Sequence, residues 1–180
     1  MIIFIGGLPG CGKSTLARAL SEQLGIFHYD IDEAKKQIYP LDPDYERNIR
    51  EGIPFADGTK QKAFEAVIDD FYALRKKHKH IIFDEVLQKR SQREFLYAKA
   101  LRIFESKLVI HVTCREKTVK KRLLQTRENH ILQQPWNVYL ARKQGFDGIP
   151  EADILFENET PLPEAVVQLT KMIKEKMSAE

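Results

Sequence analysis

Cysteine is scarce in this chain: Cys11 and Cys114 are the only two among 180 residues. That excludes the disulfide framework by which small secreted domains staple themselves, which needs several spaced pairs, and the chain reads as cytoplasmic. Long apolar runs are lacking too. The N-terminal run "MIIFI" stops at Gly6, far short of the roughly 20 residues that a membrane-spanning helix needs, and no basic segment precedes it as in a secretory leader. No membrane association is expected. Neither sign of charge dominates: 29 Lys and Arg against 26 Asp and Glu leave a net +3. Without a long basic stripe, nothing points to nucleic acid. The densest basic run, "RKKHKH" at 75–80, reads as the polar end of a helix before a buried strand. The five histidines (His28, His78, His80, His111, His130) are scattered without metal-ligand spacing. Tryptophan occurs once, at Trp136.

What is present is an alternation. Five short apolar runs recur: "IIFI" at 2–5, "IFHY" at 26–29, "HIIF" at 80–83, "LVIHV" at 108–112 and "DILF" at 153–156. Most are rich in β-branched residues and read as buried strands. Helix-length periodic stretches lie between them, at 13–25, 59–77, 91–106, 116–128 and 162–177. The first ends in Gly25, a C-cap candidate. The second puts Phe64, Val67, Ile68, Phe71, Tyr72 and Leu74 on one broad face. Strand–helix alternation predicts an α/β domain over 1–180, a five-stranded parallel sheet between two helical layers, with ligands at the carboxyl ends of the strands. Two stretches interrupt the pattern. The first, at about 40–60, is polar and proline-punctuated; the second, at about 127–148, holds Trp136. Insertions of that length in a compact α/β domain read as an acceptor-binding segment and a lid, with Trp136 packing inside the lid.

Directly after the first strand stands "GGLPGCGKST". Gly7-Leu8-Pro9-Gly10-Cys11-Gly12-Lys13-Ser14 fits G-x-x-x-x-G-K-[ST], the P-loop. Its glycines let the backbone curl so that successive N–H groups point at phosphate oxygens, and the helix opening at Lys13 aims its N-terminus at the same anion. Lys13 reaches the β- and γ-phosphates, the Ser14 hydroxyl takes a place on Mg²⁺, and Thr15 faces the α-phosphate region. Cys11, near a helix N-terminus, is expected to be a reactive thiol whose modification blocks activity.

No guanine-reading N-K-x-D follows, so ATP is the expected nucleotide. "FHYDIDEAKK" places Asp30 and Asp32 at the end of the second strand. If the strand geometry continues, both side chains share a face. One carboxylate then stands near Mg²⁺ and the other accepts a proton from an attacking hydroxyl; Asp32 also fits as a helix N-cap. Asp84, closing "HIIF", is the acid expected at the metal or beside the acceptor. Glu85 and Lys89 are candidates for the acceptor pocket. With these motifs the chain resembles the small-molecule kinase branch of the nucleoside-monophosphate-kinase-like P-loop fold, and is similar to gluconate kinases, shikimate kinases and chloramphenicol phosphotransferases. "NIREGIPFADGTKQKAFEAV" at 48–67 is similar to a gluconate-kinase stretch, while "IIFDEVL" is similar to chloramphenicol phosphotransferases. Residues 84–89 stand where gluconate kinases carry a different sequence, which leaves the acceptor open.

The resemblance implies an ATP- and Mg²⁺-dependent phosphotransferase acting on a hydroxyl of a small molecule (a sugar acid, an alcohol-bearing metabolite or an antibiotic) as a monomer or homodimer. Its arginine pattern, one late in a helix and one in the lid, falls on Arg122 and Arg127 as groups that stabilise the transferring phosphoryl, with Arg142 a third option. The expected site is therefore Lys13, Asp32, Arg122 and Arg127 for catalysis, Gly7 to Thr15 for ATP, and Ser14, Asp30 and Asp84 for Mg²⁺. Two other readings stay open: a nucleoside or nucleotide kinase, and an ATP-switched protein that binds a protein partner.

Overall fold

The computed structural model describes residues 1–125 and 135–178. Five strands, β1 (Ile2–Gly6), β2 (Phe27–Tyr29), β3 (Ile81–Asp84), β4 (Lys107–Thr113) and β5 (Ile154–Glu157), form one sheet in the order β2-β3-β1-β4-β5. Every pairing is parallel. The helices are α1 (Lys13–Leu24), α2 (Asp32–Ile38), α3 (Tyr45–Glu51), α4 (Asp57–Arg75), α5 (Arg90–Ala100), α6 (Glu116–Gln125), α7 (Pro135–Gln144) and α8 (Leu162–Ser178), with a 3-10 turn at Tyr39–Leu41.

A parallel strand covered on both faces must be apolar at every position, and β1 is. Ile3 and Ile5 face one core with Leu16 and Leu20 of α1 and Leu169 and Ile173 of α8. Ile2 and Phe4 face the other, with Val67 and Phe71 of α4 and Leu96 and Tyr97 of α5. The second core is tied by edge-on rings: Phe71 meets Phe83 at 5.5 Å and Phe104 at 6.0 Å between centroids. Such side chains contribute about 1.5–3 kcal/mol each on burial. Gly25 caps α1 in the left-handed region, φ 65°, as its position predicts. Tyr72 departs from expectation. It is 52% exposed, while its neighbour Phe71 is fully buried in the second core. The segment at 40–60 is more ordered than its prolines suggest. It folds as the 3-10 turn, α3 and the first residues of α4, closed by Tyr39 and Tyr45 against Phe55.

The order β3-β1-β4 places β1 between the two strands with which its following loop must work. The carboxyl ends of β1, β3 and β4 lie side by side: Ile5 is opposite Asp84 and Gly6 opposite His111. Among the described residues no helix is long and apolar enough to cross a membrane.

Candidate active site

The loop between β1 and α1 wraps tightly around its own end. Gly7 (φ 143°) leaves no room for a side chain, since a Cβ there would lie 2.1 Å from the Val112 carbonyl. Gly12 (φ 90°) is barred twice: by its left-handed backbone and by Asn158 Nδ2, which a Cβ would approach to 2.4 Å. Lys13 is buried, and its Nζ donates to the Leu8 carbonyl at 3.1 Å, folding the ammonium back over the loop. Two residues from the far side of the sheet grip the loop's backbone. Asn158 Nδ2 donates to the Cys11 carbonyl at 2.8 Å. Arg122 Nη1 donates to that same carbonyl at 3.3 Å, while its Nη2 reaches the Asn158 carbonyl at 3.2 Å.

Ser14 and Asp84 come together: the Ser14 hydroxyl donates to Asp84 Oδ2 at 2.6 Å. The other carboxylate oxygen takes His28 Nε2 at 2.6 Å. Burial opposes the charged carboxylate of Asp84, but the bonds from His28 and Ser14 and the charge of Lys13 outweigh it and hold the pKa below the usual range. A hydroxyl and an ionised carboxylate in contact beside a phosphate loop are the hard oxygen donors Mg²⁺ takes, so Ser14 and Asp84 fit that ion. Among the described residues no group of three or more His, Cys, Asp or Glu is gathered at a metal-binding spacing.

Asp30 and Asp32 do not share a strand face. β2 ends at Tyr29, and Ile31 already has helical dihedrals, φ −62° and ψ −19°. Asp30 Oδ1 accepts the Asp32 N–H at 3.0 Å, so Asp30 closes the turn into α2 and Asp32 is the first helical residue. The Asp32 side chain is 54% exposed and pairs with Lys35 at 3.3 Å. Asp30 follows Tyr29, which lies opposite Phe83, so it comes just after the strand next to the one that ends in Asp84. Its structural bond is to the turn.

Lys35 links Asp32 to Glu85, which is ion-paired with it. Burial opposes both charges, yet each partner's charge prevails, lowering the Glu85 pKa and raising that of Lys35. Both belong to a cleft lined also by Tyr39, Lys60, Gln88 and Arg142. Its floor is the stretch after β3, held at three points. Gly7 N–H bonds the Val86 carbonyl at 3.2 Å. Leu87 takes a positive φ of 53°, and the fully buried Arg93 pins its carbonyl at 2.9 Å while pairing with Glu151 at 2.5 Å. The phosphate loop and the cleft thus share a wall. Lys89 points out of the cleft to Asp57.

Arg127 lies outside the described residues. Arg142 sits on α7 and donates Nη1 to Gln88 Oε1 at 2.7 Å, in the cleft. Trp136 stacks on Tyr139, with centroids 4.9 Å apart, against Val119 and Leu123 of α6. Cys11 departs from expectation: its side chain is 1% exposed, packed into the core on the α1 face, and a reagent reaches it only if the loop opens. The Cys114 thiol, bonded to Glu159 Oε1 at 3.0 Å, is pushed up to about 12 by burial and that bond. Sequence reasoning passed over His28, Asn158, Lys35, Lys60 and Gln88. A signal existed for two of them. His28 precedes Asp30 by two, the period of a strand face, and Asn158 lies just past the last strand, where ligands bind.

With that geometry in hand, the chain can be set beside known proteins. A family model described as "AAA domain" matches residues 3–135. No curated protein matches in sequence. Among solved structures, a sugar kinase from Janibacter sp. HTCC2649 is similar at 17% identity and TM-score 0.73, over 96% of this chain and 94% of that one. A gluconokinase from Sinorhizobium meliloti 1021 is similar at 19% identity and TM-score 0.73, over 96% and 91%. Shikimate kinase from Aquifex aeolicus is similar at 19% identity and TM-score 0.60, over the whole of both chains. Identities this low speak for a shared fold: that of the P-loop small-molecule kinases.

Proposed function

The chain belongs to the AAA domain family, and on that premise we propose that it is an ATP-dependent phosphotransferase moving the γ-phosphate of MgATP to a hydroxyl of a small molecule. One observation carries this reading: Asp84 and Glu85 are consecutive, yet Asp84 meets the phosphate-loop hydroxyl of Ser14 while Glu85 lines a separate charged cleft. A protein that only hydrolysed ATP, with water as acceptor, would need no built cleft beside its γ-phosphate site.

Each residue then has a task. The loop from Gly7 to Thr15 cradles the phosphates with backbone N–H groups. Lys13 leaves the Leu8 carbonyl for the β- and γ-phosphate oxygens. Ser14 and Asp84 would hold Mg²⁺, which would supply charge neutralisation at the phosphates. Arg122, fixed on the loop's backbone, adds positive charge where negative charge develops on transfer, and Arg127 is proposed to bring a second such charge with the lid at about 127–148. The acceptor oxygen attacks phosphorus, the bond to the bridging oxygen of ADP breaks, and Asp32 takes the hydroxyl proton.

The test is ADP release from MgATP with and without small alcohols. Slow release alone, accelerated at least tenfold by an acceptor that leaves the reaction phosphorylated, is expected. Lys13→Ala should abolish ATP binding with little change in Tm. Release that no small alcohol accelerates, but that a protein partner does, would replace this reading with an ATP-switched binding protein.

A further inference from the structure

Arg93 of α5 is 0% exposed, the largest side chain among the described residues to lie wholly inside. Its guanidinium donates to the Leu87 carbonyl at 2.9 Å and to the Gln88 carbonyl at 3.4 Å. It donates twice to Glu151, at 2.5 and 3.4 Å. A buried ion pair is poor evidence of stabilisation, since desolvation offsets the attraction and an apolar side chain of similar size often does as well. The geometry shows another use. Leu87 takes φ 53°, and among the described residues no other non-glycine has a positive φ. Leucine suits the left-handed region poorly, and such a conformation persists only where its surroundings over-determine it. Here the side chain is buried in the second core, and Arg93 holds the carbonyl. What the conformation secures lies on either side of it. The Val86 carbonyl accepts the Gly7 N–H at 3.2 Å, and the Gln88 carbonyl accepts that of Asp147 at 3.1 Å. The Gln88 amide exchanges two bonds with Arg142 of α7: Nε2 donates to its carbonyl at 3.0 Å, and Oε1 takes its guanidinium at 2.7 Å. A Cβ on Gly145 would lie 2.9 Å from that amide, so the fit leaves little room for a side chain.

We infer that Arg93 is a positioning residue for nucleotide binding: it fixes the backbone at 86–88, and through it the first glycine of the phosphate loop and the dock of α7. This rests on the reading of that loop as the ATP site. None of the described bonds of Arg93 goes to the phosphate loop, so its effect travels through the backbone it holds. Gly7 has no side chain to anchor it. Its backbone (φ 143°) runs so close to β4 that a Cβ would meet the Val112 carbonyl at 2.1 Å, and its N–H is oriented by Val86. Without the arginine fork, Leu87 relaxes to negative φ, the peptides beside it rotate, and the Val86 carbonyl leaves the Gly7 N–H. The N–H groups that follow then lose the alignment on which anion binding depends. Lysine does not replace this arginine. One ammonium is a point charge, whereas the planar fork reaches two carbonyls and a carboxylate at once. Glu151, whose side chain is 36% exposed, balances the charge from the connection between α7 and β5.

The test uses the full chain with MgADP as the probe. Calorimetry gives its affinity, thermal melting gives Tm, and NMR gives hydrogen exchange of the Gly7 amide. Arg93→Met fills the volume but drops the fork. It should weaken MgADP by about tenfold, the worth of a lost charge-assisted bond, and lower Gly7 protection by a similar factor. Arg93→Lys keeps a cation beside Glu151 and should weaken MgADP in the same direction; it decides the matter if the methionine variant does not fold. Leu87→Gly is then added to whichever Arg93 variant folds. Glycine adopts φ 53° without strain, so it should restore MgADP affinity by about threefold, while loss of a buried leucine lowers Tm further. A merely structural arginine gives no recovery: affinity falls with Tm, and the double variant binds no better than the single. That result, an unchanged Gly7 amide, or wild-type affinity in the single variants overturns the positioning role and leaves the ATP site standing. A wild-type chain that does not bind MgADP overturns the ATP site and this role with it.

Discussion

His28 Nε2 meets Asp84 Oδ1 at 2.6 Å, across the β2–β3 pair and on the side of the carboxylate away from Ser14. The imidazole therefore aims the carboxylate at the phosphate loop. His28→Ala leaves a buried carboxylate oxygen without its donor, and the expected loss is about 1–3 kcal/mol in urea unfolding at pH 7. The pH dependence follows from the sign of the Asp84 shift. A lowered folded pKa gives stability that is complete above the unfolded value, near 3.9, and lost as pH falls through the folded value. Removing His28 raises the folded value, so the variant should lose stability at a higher pH than wild type on acid titration. An unchanged acid midpoint would detach His28 from Asp84.

Gly12 and Asn158 share one space. Gly12→Ala puts a Cβ at φ 90° and 2.4 Å from Asn158 Nδ2. Backbone strain of this kind costs about 1–3 kcal/mol, and the displaced amide releases the Cys11 carbonyl that it holds at 2.8 Å. ATP affinity should fall at least tenfold. Adding Asn158→Ala should recover part of the Tm, since it relieves the collision but not the dihedral. A double variant no more stable than Gly12→Ala would show that the collision does not matter.

Asp32 is the first residue of α2 and its side chain is 54% exposed, while Asp30 supplies the turn's side-chain bond. Asp32→Asn should therefore melt within a few degrees of wild type and bind MgATP normally. Phosphoryl transfer to the acceptor should fall by about 10²–10⁴, the usual worth of a positioned base, with hydrolysis to water falling far less. Equal loss of both would move Asp32 to the metal, and the base role to Asp30.

Lys60 gives stability an alkaline rise. Its folded pKa is depressed by burial and by Arg142, so it deprotonates at a pH beneath the usual value of about 10.4. The unfolded chain then keeps the proton longer than the folded one, so stability in urea unfolding should rise as pH climbs through that window. Lys60→Arg stays charged and should flatten the rise. A rise that persists in the arginine variant would assign the ionisation elsewhere.

The phosphate loop was legible in the sequence because its chemistry is contiguous: Gly7 to Ser14 are neighbours, and the strand before and helix after them follow from local periodicity. The strands were legible for the same reason, since β1 is covered on both faces and must be apolar throughout. Asp30 and Asp32 show where local reasoning ran out. Their spacing suits a strand face, but the strand stops at Tyr29 and Asp30 closes a turn, an outcome set by where α2 packs on α4. The contacts that complete the site are all distant in sequence. Ser14 reaches Asp84 because β3 lies beside β1, and Arg122 and Asn158 reach Cys11 because β4 and β5 lie on the other side. Lys60 and Arg142 face one cleft because α4 and α7 converge over the end of β3. A linear pattern records which groups are available. Which of them meet depends on strand order and helix packing, and those are settled by burial of the whole apolar set at once.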